Sequence, residues 1–470
     1  MTQKNMTKAL ICSLILILFP IFNGTSQDNK GEVQPELTAS EDDSDKVIKA
    51  FIEKLSLEEK ISQLFLINLE NDDKFLSVEY YEKDGERKTL IPGGYIFFSY
   101  NIADNIEQIM GFTDSIIKHA ENQGSIIPYL CVDAEGGYVN RLRTVAGPLA
   151  ENERVSACLT PEQSYELYSY YAKQMNSLGF NLNLAPVSEI CSEKNKDFLN
   201  GRSYGVKDKV IDYSVNCVNA YQHNKVAAIL KHFPGNTNVD PHIGLPKIDM
   251  SQDEFLEITQ TFSEIIDRSK PAGILMSHAV VPDFDSHPSC LSEYWVTEIL
   301  RETLNYDGLI FSDDIFMGAL LQNGYSPEKA CRLAVESGIN CIMISQKTFK
   351  KWMNIFVKIC NDDAEFTKKI EESLYRIIKF KLEYGVMTSE SLSSQKKNIY
   401  INQISEKIPF AERERLLNDD HGLRAYIFNL NKNNTKRMYY DYFYKTADDD
   451  EKRFLNVRKS ADDGTADEAE

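Results

Sequence analysis

Residues 231–246 gather Lys231, His232, Asp240 and His242 into sixteen positions of a chain that has seven histidines in all. An imidazole with an unperturbed pKa of about 6.5 can give or take a proton near neutrality. A lysine and a carboxylate supply charge-assisted hydrogen bonds to a polar ligand. Pro234, Gly235, Pro241, Gly244 and Pro246 punctuate the stretch, which predicts a loop held in one shape. The apolar run 226–230 precedes it, so a buried strand is expected to feed the loop. Loops on rigid scaffolds are where binding and catalysis concentrate.

The elements that must position these residues follow from a rhythm of short apolar runs. They lie at 64–69, 94–99, 128–133, 180–186, 226–230, 273–278, 308–314 and 341–345. Helical patterns separate most of them, at 105–120, 161–178, 207–223, 252–268 and 327–338, and another over 363–384 closes the series. Strands alternating with helices predict right-handed parallel crossovers. Eight such units make the expected fold class α/β, a (β/α)₈ TIM-type barrel with a short polar C-terminal appendage. A doubly wound sheet is the runner-up, but it would need a glycine-rich first turn that the sequence lacks. Asp133, His232, His278 and Asp313-Asp314 all fall at the ends of apolar runs. A barrel gathers the carboxyl ends of its strands at one mouth, so these side chains are expected to converge there.

Composition bounds the partners. With 42% hydrophobic and 26% charged residues the chain has ample material for a core. A net charge of −19 argues against a nucleic-acid partner, because phosphate binding needs a basic surface. Lys4 and Lys8 precede an apolar run of fourteen residues, 9–22, and a polar exit, which reads as a signal peptide over 1–26. The run is short for a membrane span, which takes about 20 residues. The protein is therefore expected to be exported, to the periplasm or beyond the cell. A membrane association enters only if the segment stays uncleaved as an anchor. Residues 27–45 read as a flexible acidic leader, 46–387 as the barrel, and 388–470 as a polar, partly disordered extension with a tyrosine-rich patch at 438–444. The eight cysteines after the signal segment show no CxxC and no metal-site spacing, and no disulfide is assigned.

Six stretches, in order, resemble glycoside hydrolase family 3 in its single-domain β-N-acetylglucosaminidase branch. They are Val132-Asp-Ala-Glu-Gly-Gly-Tyr-Val-Asn-Arg141, Asn183-Leu-Ala-Pro-Val187, Gly201-Arg-Ser-Tyr-Gly205, Lys231-His-Phe-Pro-Gly235 with Asp240-Pro-His242, Met276-Ser-His278, and Gly308-Leu-Ile-Phe-Ser-Asp-Asp-Ile-Phe-Met317. The resemblance covers about residues 55 to 386. It implies that Asp313 is a nucleophile attacking an anomeric carbon to form a covalent glycosyl-enzyme. It implies that His242 is the acid/base and that Asp240 orients it, with Asp133, Arg141, Arg202, Lys231 and His232 holding the terminal sugar. The activity it implies is retaining exo-hydrolysis of terminal β-linked N-acetylglucosamine, with peptidoglycan fragments as the source. It implies a carbohydrate substrate and no metal or organic cofactor; the oligomeric state is not readable.

The loop departs from the family pattern, Lys-His-Phe-Pro-Gly-His-Gly followed after a few residues by Asp-Ser-His. Asn236 stands at the third histidine, the loop is about two residues shorter, and Pro241 replaces the serine, restricting Asp240 to extended backbone. Other readings of the same residues are open. Asp313 or Asp314 would serve as a helix cap, and the charged residues as an ion-pair network at a barrel rim. His278 and Glu135 read as structural supports, and Gly136-Gly137 as a tight turn. A non-catalytic sugar-binding protein and a β-glycosidase of different specificity are the alternative functions. A metal-dependent barrel hydrolase expects a His-x-His after the first strand, which 64–70 lacks.

Overall fold

In the computed structural model the described residues are 41–444, apart from 71–72, 78, 82–86, 104, 240–243, 316–317 and 389–419. The segment expected to be a signal peptide and the acidic end of the chain lie outside them.

Eight strands form one sheet: β1 (Phe65–Asn68), β2 (Gly94–Phe97), β3 (Tyr129–Val132), β4 (Leu182–Asn183), β5 (Ala227–Phe233), β6 (Gly273–Met276), β7 (Leu309–Phe311) and β8 (Ile342–Ser345). Neighbours along the sheet are β7-β6-β5-β4-β3-β2-β1-β8, and every paired ladder is parallel. A parallel bridge, Phe311 to Cys341, joins the two ends, so the sheet closes into a barrel. The Ser312 amide donates to the Cys341 carbonyl at 2.9 Å across that seam. The runs read from the sequence are thus the barrel strands. One runs further than expected: β5 continues through Lys231 and His232 to Phe233, where a loop was expected. Both polar side chains find buried partners, described below, so the ladder need not end at the first charge.

Helices follow the strands at Ile106–Asn122, Pro161–Ser177, Lys207–His223, Gln252–Ser269 and Pro327–Ser337, with a π-helical segment Tyr294–Thr303 after β6. Among the described residues there is no helix between β1 and β2; a short hairpin, Glu79–Tyr81 against Arg87–Thr89, lies there instead. The helix starts are specified locally. Ser56 with Glu59, Thr160 with Gln163, and Ser251 with Glu254 each form a reciprocal capping box. Each such cap contributes about 1 kcal/mol.

The barrel is filled at its amino-terminal end by the ring of Tyr129, which meets Phe311 and Phe380 edge-on at 6.3 and 5.9 Å. Gly94 is required there: a Cβ would stand 2.1 Å from the Tyr129 ring. Phe65 packs edge-on against Phe349 and Phe356, which ties β1 to the helix Phe349–Asp362.

Two outer helices lie at the margins of the barrel, one at its start and one in the extension read as partly disordered. The helix Glu41–Glu53 starts inside the segment read as a flexible leader. Ile48 and Ile52 bury against Leu374 and Ile378, and the Tyr375 hydroxyl bonds to Asp45. In the extension, the helix Asp420–Tyr439 packs on Pro161–Ser177 and buries Phe428 and Met438. Gln174 donates to Thr435 at 2.7 Å, and Arg424 donates to the Ser177 carbonyl at 3.0 Å and pairs with Asp114. No described helix is long and apolar enough to cross a membrane.

Candidate active site

The carboxyl ends of β3, β5 and β7, with the segments after β4, build one polar site. Asp133 follows β3, and the chain then turns through a small hairpin, Ala134–Gly136 against Val139–Asn140. Gly136 has φ 115° and no room for a side chain, since a Cβ would lie 2.1 Å from the Ala150 carbonyl. That tight turn tucks Glu135 beneath Asp133, where it is almost wholly buried.

Four charges interlock there. Lys231 lies 2.6 Å from Asp133 and 2.5 Å from Glu135. Arg202 grips Glu135 with both ends of its fork, at 2.7 and 2.9 Å. Two cations thus balance two anions, and bidentate geometry makes the arginine contact strong as well as directional. Burial opposes ionisation of Glu135, but Lys231 and Arg202 outweigh it and hold the carboxyl at about 2. Burial likewise opposes charge on Lys231, and Asp133 and Glu135 more than offset it, so its ammonium is held above its ordinary range. The cluster is a fixed array of charges at the neutral end of the pH scale, with Asp133 on the more open side.

A second pair lies beside it. The His232 Nδ1 donates to Glu189 Oε1 at 2.6 Å. Glu189 also accepts from the backbone amide and side-chain amide of Asn236, at 2.7 and 3.0 Å. Sequence reasoning did not single out Glu189. Its signal was available: it ends Ala185-Pro-Val-Ser-Glu189, directly after a predicted strand. Asn236, noted as a departure, has a definite task here, since it fills the remaining hydrogen-bonding capacity of that buried carboxylate.

Asp313 follows β7 and accepts from the Asp314 amide at 2.8 Å. Burial would raise its pKa, but the nearby His278, His232 and Lys231 and that amide hold it below the ordinary carboxylate range. Asp313 is therefore ionised within the field of the same histidine and lysine that organise the other clusters. Among the described residues it caps no helix. His278 donates from Nε2 to the Asp314 carbonyl at 3.1 Å and meets Cys290 Sγ at 3.1 Å through Nδ1, so it braces the segment carrying Asp313.

Arg141 is tied in through its backbone, its amide donating to the Asp133 carbonyl at 3.0 Å. Its guanidinium lies over the Phe98 ring at 6.0 Å, and its Nε has no hydrogen-bond partner among the described residues. Asp240 and His242 lie outside the described residues. Of the other expected site residues, Asp133, Arg202, Lys231, His232 and Asp313 share one electrostatic environment, and Arg141 adjoins it.

Among the described residues no three His, Cys, Asp or Glu side chains gather to hold a metal ion. The eight cysteines from Cys131 to Cys360 are free thiols. The arrangement groups charged donors and acceptors with the ionised Asp313 carboxylate, which suits a polyhydroxylated ligand.

Comparison with known proteins identifies the family. The family model described as "Glycosyl hydrolase family 3 N terminal domain" matches residues 56–380, well over half of the chain. The chain belongs to glycosyl hydrolase family 3. It is 28% identical over 319 residues to beta-hexosaminidase A of Pseudoalteromonas piscicida, covering 62% of this chain and 53% of that protein. It is 30% identical over 259 residues to a beta-hexosaminidase of Haemophilus influenzae (strain PittEE), covering 53% of this chain and 72% of the relative. The chain thus spans about half the length of the first relative. Among solved structures, a family 3 beta-N-acetylglucosaminidase from Paenibacillus aligns with TM-score 0.62 and 23% identity, over 77% of this chain and 68% of that one. A beta-N-acetylhexosaminidase from Beutenbergia cavernae aligns at 0.59 and 20%, over 69% and 98%. These structural likenesses establish the barrel.

Proposed function

We propose that this family 3 protein is a retaining exo-β-N-acetylglucosaminidase that removes terminal β-linked N-acetylglucosamine. The observation that carries the reading is the ionised Asp313 set beside the Asp133–Lys231–Glu135–Arg202 lattice at the carboxyl end of the barrel. The names of the relatives, beta-hexosaminidases, support the choice of sugar.

In this reading the lattice and His232 bind the hydroxyls of the terminal sugar, with Arg141 at its edge. Asp313 attacks the anomeric carbon; the carbon–oxygen bond to the leaving group breaks as His242 gives that oxygen its proton. Water then attacks the same carbon, His242 takes its proton, and the bond to Asp313 breaks, which restores the β-configured product. Asp240, two residues before His242, orients the imidazole. The step needs Asp313 as carboxylate, and the cations around it supply that condition without a proton acceptor. The source proposed is peptidoglycan fragments, in keeping with the export segment read at 1–26, which would put the enzyme outside the cytoplasm.

The test is release of nitrophenol from nitrophenyl β-N-acetylglucosaminide, with Asp313→Asn as comparison. A loss on the order of 10⁴-fold or more in kcat is expected for the variant. Sugar binding by the wild type with no turnover would leave a non-catalytic carbohydrate-binding protein. His242→Ala separates acid/base from scaffold: its loss is expected to be far greater with a sugar leaving group than with nitrophenol, because protonation matters most for a basic leaving group. Equal losses on both would count against that role.

A further inference from the structure

The helix Pro161–Ser177 carries two buried tyrosines that the chemistry above does not use. Tyr168 and Tyr171 stand three positions apart, so they share one side of the helix. The Tyr171 hydroxyl donates to Asn140 Oδ1 at 2.8 Å. That oxygen also accepts from the Leu142 amide at 3.1 Å, and Asn140 Nδ2 donates to the Gly147 carbonyl at 3.3 Å. Asn140, itself fully buried, thus stitches its turn together, and Arg141 lies between the two ends of the shorter stitch. Tyr168 makes a parallel connection. Its hydroxyl donates to Asn152 Oδ1 at 3.2 Å and shares a hydrogen bond with the Tyr204 hydroxyl at 2.8 Å, while Asn152 Nδ2 donates to the Arg202 carbonyl at 2.7 Å.

One helix therefore reaches the backbone at both site arginines, but the two guanidinium groups are held differently. Arg202 is fixed at its tip by the two-pronged grip on Glu135. The Arg141 guanidinium has the Phe98 ring at 6.0 Å, and its Nε has no hydrogen-bond partner among the described residues. Its direction is set by the turn beneath it, and that turn is set by Asn140. The helix behind Asn140 is itself braced from outside the family domain. Gln174 donates to Thr435 and Arg424 to the Ser177 carbonyl, both from the helix Asp420–Tyr439, which lies beyond the matched residues 56–380.

We propose that Tyr171 is a positioning residue for sugar binding: through Asn140 it sets the turn that aims Arg141 at the terminal sugar. The inference rests on the reading of Arg141 as a sugar contact, and it adds a residue that touches no substrate. Tyr168, doing the same for an arginine already anchored at its tip, is structural.

The experiment measures competitive inhibition of nitrophenyl β-N-acetylglucosaminide hydrolysis by free N-acetylglucosamine, for the wild type, Tyr171→Phe and Tyr168→Phe, well below their unfolding temperatures. Tyr171→Phe, which keeps the ring and loses one hydrogen bond, is expected to weaken inhibition about three- to tenfold. Tyr168→Phe loses an equally buried hydroxyl, so it lowers the unfolding temperature and leaves inhibition at the wild-type level. In an Arg141→Ala background Tyr171→Phe should cause no further weakening, because two residues acting through one contact are not additive. Unmoved inhibition in Tyr171→Phe, an equal weakening in Tyr168→Phe, or the full weakening retained without Arg141 would overturn the proposal. If the wild type does not cleave the glycoside, the hydrolase reading fails separately. Calorimetric titration of N-acetylglucosamine into the same proteins then decides Tyr171, with the same losses expected, and a wild type that binds no N-acetylglucosamine ends both.

Discussion

Two lysines at opposite ends of the barrel are equally buried and behave in opposite ways. Lys231, 3% exposed, stands at the mouth between Asp133 and Glu135, and its ammonium is held above its ordinary range. Lys381, 0% exposed, comes from the helix Ala364–Glu383 and plugs the base. It donates to Gln63 Oε1 and the Ile127 carbonyl, both at 2.8 Å, with the Tyr129 ring 5.6 Å away. Burial pulls it down to about 7. Both sites satisfy the nitrogen's hydrogen bonds; only one supplies counter-charge. The mouth is therefore a place where charge is fixed and ready for a ligand. The base is a stopper that the protein can hold nearly neutral.

The sharpest way to break this contrast is Lys231→Met. It leaves Asp133 with one partner fewer and Glu135 with Arg202 alone in a dry pocket, so a loss of about 3–5 kcal/mol is expected in urea unfolding. Turnover of the folded variant should fall about 100-fold or more through misplaced sugar contacts. A variant of near wild-type stability would mean the lattice is not energetically coupled.

Acid tests the same cluster. Glu135 is held at about 2, below the ordinary 4.5, so its contribution is fully present above about 4.5 and is lost as pH falls from there towards 2. The size is roughly 3 kcal/mol, since each unit is worth about 1.4 kcal/mol. Comparing the acid unfolding of wild type and Glu135→Gln isolates it, and matching slopes in that window would contradict the assignment.

At the base the sign reverses. Lys381 is lowered from 10.5 to about 7, so between those values the unfolded chain binds the extra proton and stability rises with pH. Lys381→Met should remove that rise, at most about 1.4 kcal/mol per pH unit. Above about pH 10.5, where the penalty of deprotonating the lysine vanishes, it should cost about 1–3 kcal/mol for the acceptors left without a donor, and this cost should shrink as pH falls towards 7. Its kcat per folded molecule should stay at the wild-type level, unlike that of Lys231→Met.

The smallest effect is expected at Asn236→Ala, which removes one of the donors to Glu189 and keeps the backbone one. A loss of about 0.5–1.5 kcal/mol in thermal or chemical unfolding would fit a single hydrogen bond. A larger loss would mean that Asn236 sets the shape of the loop beyond it.

Where the sequence was legible, it was because pattern and position coincide. The period of apolar runs marks strands, and a polar residue at the end of a run marks the mouth, so Asp133, His232 and Asp313 could be read directly. Glu189 was missed because β4 is only two residues long and continues past it through a single bridge, Val187 to Lys231, which no local pattern reveals. The helix Asp420–Tyr439 is not legible in the pattern of the extension because its buried face includes Arg424, Asn431 and Thr435, polar residues satisfied by partners hundreds of positions away or within their own helix.

The sequence by itself determined the alternation of strands and helices, the capped helix starts and the family motifs, since these depend on neighbours within a few turns of chain. Tertiary structure alone decided which charges meet. Whether a buried lysine is an ammonium or nearly neutral depends on whether carboxylates or carbonyls face it, and those arrive from strands and helices far apart in the chain.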